Sequence, residues 1–67
     1  MADLNALAQV IEGSGIKKQK IADVLGISKQ GLANKLAGRA PFQLAEIRPL
    51  CDLLGLSDAQ RDDIFLS

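Results

Sequence analysis

Sixty-seven residues, 48% of them apolar, describe one folded domain near the lower size limit for a core that holds without help. A single cysteine, Cys51, excludes an internal disulfide, and with no histidine in the chain it cannot build a zinc site. Eight Lys and Arg residues balance eight Asp and Glu, and no apolar run approaches the roughly 18 residues of a membrane span.

The N-terminus MADLNALAQ lacks the basic, apolar pattern of a secretory signal. A soluble chain of the reducing cytosol is expected, forming a single domain over 1–67. A first helix is predicted over 3–12, with Leu4, Leu7, Ala8 and Ile11 on one buried face, Asp3 as N-cap and Gly13 as the left-handed stop. A second is predicted over 18–25, with Ile21, Ala22, Val24 and Leu25 as its apolar stripe. Its start lacks a good cap. Lys17 cannot accept from the free N–H groups and opposes the helix dipole, a mismatch of about 1 kcal/mol. A phosphate oxygen at this end would satisfy those groups, although many helices start uncapped.

Gly26-Ile27-Ser28 reads as a tight turn, in which Gly26 takes positive φ, Ile27 returns to the core and Ser28 caps the next helix. That third helix is predicted over 29–37, stopped by Gly38. Leu32 and Leu36 point inward, which turns Gln30 and Asn34 outward beside Ala33 and Ala37, with Lys29 and Lys35 flanking them. Gly31 inside the helix costs roughly 1 kcal/mol against alanine and implies a close neighbour. Arg39-Ala40-Pro41-Phe42 is a loop. A fourth helix runs from Gln43 or Leu44 to Leu54, with Leu44, Ile47, Leu50, Cys51 and Leu54 on its inner face and Glu46 at capping-box spacing from Gln43. Pro49 inside it predicts a kink or a loose first turn. Ser57-Asp58-Ala59-Gln60 opens a short fifth helix over 58–65.

Charge is unevenly placed. Between 17 and 39, Lys17, Lys18, Lys20, Lys29, Lys35 and Arg39 meet only Asp23, a local balance of +5. The remainder carries −5, so one basic face can attract a polyanion while the rest repels it. Ordinary solvated surface charge explains the same numbers. Arg48 and Arg61 read as such surface charges, and Cys51 as a small core residue.

Five short helices with this turn resemble the Cro/repressor-type helix-turn-helix family, also called the XRE family. The residues that carry the resemblance are IADVLGISKQGLANKLAG, positions 21–38. They supply the small residue of helix two (Ala22), the turn glycine and its apolar follower (Gly26, Ile27) and the apolar residue of helix three (Leu32). The ending GLSDAQRDDIFLS is similar to small phage-derived members. The resemblance implies an all-α, five-helix lambda-repressor-like fold with the helix-turn-helix at helices two and three. It also implies that helix three enters the major groove, the start of helix two touches the DNA backbone, and the following loop grips phosphate. Position by position, Lys29, Gln30, Ala33 and Asn34 become base-reading candidates. Lys17, Lys18, Gln19, Ser28, Lys35 and Arg39 become backbone candidates. The residue types suit these roles: Gln or Asn can pair with adenine, Lys with guanine, and an alanine methyl with that of thymine.

The implied function is sequence-specific binding of double-stranded DNA by a cytoplasmic, nucleoid-associated transcriptional regulator. A repressor acting by operator occupancy is expected, without cofactor or small-molecule ligand. A homodimer through helices four and five, or through Ile64-Phe65-Leu66, would read half-sites about 34 Å apart. The same apolar end can instead pack on helix one. A protein-interaction module, such as the antitoxin of a toxin–antitoxin pair, is the alternative, for which Asp58, Asp62, Asp63 and the apolar end leave room. An enzyme is not expected, because the chain has no histidine, no nucleophile-and-base pattern and no phosphate loop longer than GSG at 13–15.

Overall fold

Helix-breaking residues and caps divide the chain into five α-helices in the computed structural model, which describes residues 2–66. They are α1 (Leu4–Ser14), α2 (Lys18–Leu25), α3 (Lys29–Leu36), α4 (Leu44–Leu54) and α5 (Asp58–Phe65). This is the all-α, five-helix order that the resemblance implies. Asp3 Oδ1 accepts from the Ala6 N–H at 3.0 Å and Ser28 Oγ from the Gly31 N–H at 2.9 Å, so α1 and α3 start on side-chain caps. At α5 the capping box closes in both directions between Ser57 and Gln60. At α4 only half of it forms. Glu46 Oε1 accepts from the Gln43 N–H at 2.8 Å, while the Glu46 N–H goes to the Gln43 carbonyl.

Two boundaries differ from the sequence reading. α1 runs through Gly13 to Ser14, and the left-handed residue is Gly15 (φ 71°). The Ser14 hydroxyl explains the shift, since it donates to the Ile11 carbonyl at 2.6 Å and accepts from the Ile16 N–H at 3.1 Å. That local bonding satisfies the end of the helix two residues later than Gly13 would. α3 stops at Leu36, with Ala37 as its C-cap. α4 runs unbroken past Pro49. The proline removes one N–H, the one that would bond to the carbonyl of Ala45 four positions earlier, and Ala45 is an exposed residue of the first turn.

The core takes at least one side chain from every helix: Leu7 and Ile11, Ile21 and Ala22, Leu32, Leu50 and Cys51, and Ile64. Leu7, Ile21, Leu32 and Leu50 are the largest fully buried side chains. Truncating one such leucine costs about 2–5 kcal/mol, as much as the few kcal/mol a core of this size supplies. α2 is the central element, packing on α3 along one side and on α4 along another, while α1 packs on α4 and α5. Ala22, fully buried, lets the neighbouring helices approach α2 closely. Burial also raises the Cys51 thiol above its ordinary pKa, as a core residue requires.

Three side chains expected inside lie outside. Ala8 is exposed, Val24 lies at the solvent edge of α2, and Leu44 is 87% exposed. Leu44 is the first residue of α4, so it projects beyond the neighbours that cover Ile47 and Leu50 one and two turns later. The C-terminal apolar run divides. Ile64 is buried, its carbonyl accepts from the Asp3 N–H, Phe65 meets Phe42 edge-on, and Leu66 is 76% exposed.

Candidate nucleic-acid interface

The α2–α3 unit is fixed by backbone bonding around one residue with positive φ. Gly26 (φ 71°, ψ 28°) lets its own N–H reach the Asp23 carbonyl and the Ile27 N–H reach Ala22 at 3.0 Å. Ile27 packs back against the core, and Ser28 begins α3. The close neighbour expected at Gly31 is that same Ser28. A Cβ at position 31 would lie 3.1 Å from its Oγ, tight against the cap that starts the helix.

With Leu32 buried and Leu36 packed on the core, the opposite side of α3 is solvent-facing. Lys29, Gln30 and Ala33 are exposed, and Asn34 is half-buried beside them. Gln30 Nε2 donates to Asn34 Oδ1 at 3.2 Å. Arg39 is held against the same strip at two points. Its N–H donates to the Asn34 carbonyl at 2.9 Å, and its Nη1 approaches Asn34 Oδ1 at 3.4 Å. One amide oxygen thus gathers Gln30 and Arg39, and these bonds leave the Asn34 amide protons and the Gln30 oxygen uncommitted.

The backbone candidates divide into groups. Lys17 is the N-cap of α2, makes no cap bond, and stands beside Lys18 with no acidic residue in the first turn. Gln19 turns to Asp23, Nε2 to Oδ1 at 3.0 Å. Ser28 accepts from Gly31 and still has its own hydroxyl proton to donate. Lys29 begins α3, whose first turn also lacks an acid. By contrast α4 and α5 each carry an acid in the first turn, Glu46 and Asp58. Lysines therefore stand at the positive ends of α2 and α3 alone, where they repel the helix dipole until an anion arrives.

Lys35 differs from the other basic residues. Its ammonium lies 2.9 Å from Glu46 Oε1, donates to the Pro41 carbonyl at 2.9 Å and sits 6.0 Å above the Phe42 ring centre. The roles of Glu46, Pro41 and Phe42 in holding it were not visible in the sequence, where Glu46 read only as a helix cap. Among the described residues, no three His, Cys, Asp or Glu side chains converge to hold a metal, and no helix is long and apolar enough to cross a membrane.

A short helix, a tight glycine turn and a second helix with a polar outer strip define a helix-turn-helix unit. Residues 3–64 match the model of the helix-turn-helix domain family, and the chain belongs to that family. No curated protein and no solved structure matches it.

Proposed function

We propose that this protein reads a specific double-stranded DNA sequence through α3 and represses transcription by occupying its operator as a dimer, in the manner of phage Cro and repressor proteins. The observation that carries this is the placement of lysines. They crowd the positive ends of the two helices of the turn unit, at some cost to the free protein, and phosphate supplies the missing acceptors. Lys17, Lys18 and Gln19 at the start of α2, and Ser28 and Arg39 at the two ends of α3, grip the backbone. Lys29, Gln30, Ala33 and Asn34 meet base edges, where the paired amides present the donor and acceptor pattern that recognises adenine.

The dimer reading rests on Leu44 and Leu66, the two most exposed large apolar side chains among the described residues. They line a surface cavity of about 280 Å³ together with Ile47 and Phe65, rimmed by Arg48, Arg61 and Asp62. A second copy related by a two-fold axis covers this face with apolar contacts at the centre and opposite charges at the rim.

Selecting bound duplexes from a random pool tests both statements. The expected product is one consensus with two inverted half-sites about one helical turn apart. A consensus without symmetry contradicts the dimer, and a pool without enrichment contradicts sequence reading altogether.

A further inference from the structure

We propose that Lys35 serves DNA recognition as a positioning residue, paired with Glu46, and makes no phosphate contact. The inference rests on the DNA-binding reading above and assigns Lys35 a different role from Arg39. α3 and α4 share little direct packing, since each packs mainly on α2. The Lys35–Glu46 pair crosses that gap at 2.9 Å, with both side chains only 12% exposed.

The ammonium has three protons. One points to Glu46, one to the Pro41 carbonyl, and the remaining side of the group faces the Phe42 ring. Glu46 Oε1 in turn accepts from the Gln43 N–H at 2.8 Å, and Phe42 is anchored edge-on by Phe65, ring centres 5.7 Å apart. A single lysine thus ties the last turn of α3 to the loop after it, to the start of α4 and, through Phe42, to α5. Turning it toward phosphate would strand the Glu46 carboxylate in a mostly covered place. Its work is to fix the angle at which α3, with Gln30 and Asn34 on it, leaves the scaffold.

The two roles predict opposite results for Glu46. Operator binding by the wild type, Lys35→Met, Glu46→Gln and the double variant is measured against salt, on a duplex carrying the selected consensus. A positioning pair predicts that both single variants bind more weakly, by roughly three- to thirtyfold, with the salt slope of the wild type. The double variant is then no worse than the weaker single, because the two residues act as one unit. A phosphate contact predicts a slope shallower by about one for Lys35→Met. It also predicts tighter binding for Glu46→Gln, which releases the lysine and removes a repelling charge. Either of those results overturns the proposal. Should Lys35→Met fail to fold, Glu46→Gln decides alone by the direction of its effect. Wild-type protein that shows no salt-dependent binding would overturn the DNA-binding reading itself.

Discussion

Glu46 shows how much one side chain can be asked to do in a small domain. Burial on its own would raise its pKa, but the Gln43 N–H bond and the Lys35 ammonium outweigh it and hold the carboxyl below its ordinary value. A group whose folded pKa is depressed contributes stability above its unfolded value and loses it as pH falls through the folded one. Wild type should therefore melt above Glu46→Gln at pH 7, and the gap should close at an acid pH below the depressed folded value, where the carboxylate takes up its proton. Thermal melts of both proteins at the two pH values check this, and a gap that persists in acid contradicts it. At this scale the sequence was only partly legible. The outward turn of Gln30 and Asn34 follows from Leu32 and Leu36 by helical arithmetic alone. The Lys35–Glu46 contact does not, because it joins two helices across a loop, and no local pattern encodes where that loop brings its ends.

Among the helices, starts were easier to read than ends. Asp3, Ser28 and Ser57 each announce a helix because their oxygen can accept from a first-turn N–H, and each does so. Gly13 was misleading, since a glycine permits a stop without requiring one, and the neighbouring Ser14 hydroxyl moved the end to Gly15. Ala8, Val24 and Leu44 fit the apolar stripes and still face outward, because periodicity fixes a direction but not how far the neighbouring helix extends. α2 offers the sharpest test at this scale. Lys17 occupies an N-cap with extended backbone angles that suit serine (φ −69°, ψ 143°). Lys17→Ser should stabilise the free protein by about 0.5–1 kcal/mol, a rise of a few degrees in Tm. The same change should weaken DNA binding and make its salt slope shallower by about one. A stabilised protein with unaltered DNA binding would mean that the poor cap has no functional counterpart.

Across the whole molecule, zero net charge conceals a division that matters more than the sum. The basic residues between 17 and 39 lie on α2, α3 and the loop that follows, and the acidic ones mainly elsewhere, so the protein has a preferred side to present to a polyanion. Membership of the helix-turn-helix family, over 3–64, agrees with that division. The central claim is that affinity and sequence reading reside in different residues of one short unit, and replacing one residue of each kind tests it directly. Binding of Asn34→Ala and Arg39→Ala to the selected consensus and to single-base variants of it is measured over a range of salt concentrations. Asn34→Ala should lose about 1–3 kcal/mol on the consensus, discriminate less at one base pair and keep the wild-type salt slope. Arg39→Ala should weaken every sequence by a similar factor with a slope shallower by about one. Equal discrimination in both variants, or binding to the consensus that neither substitution changes, would contradict the account.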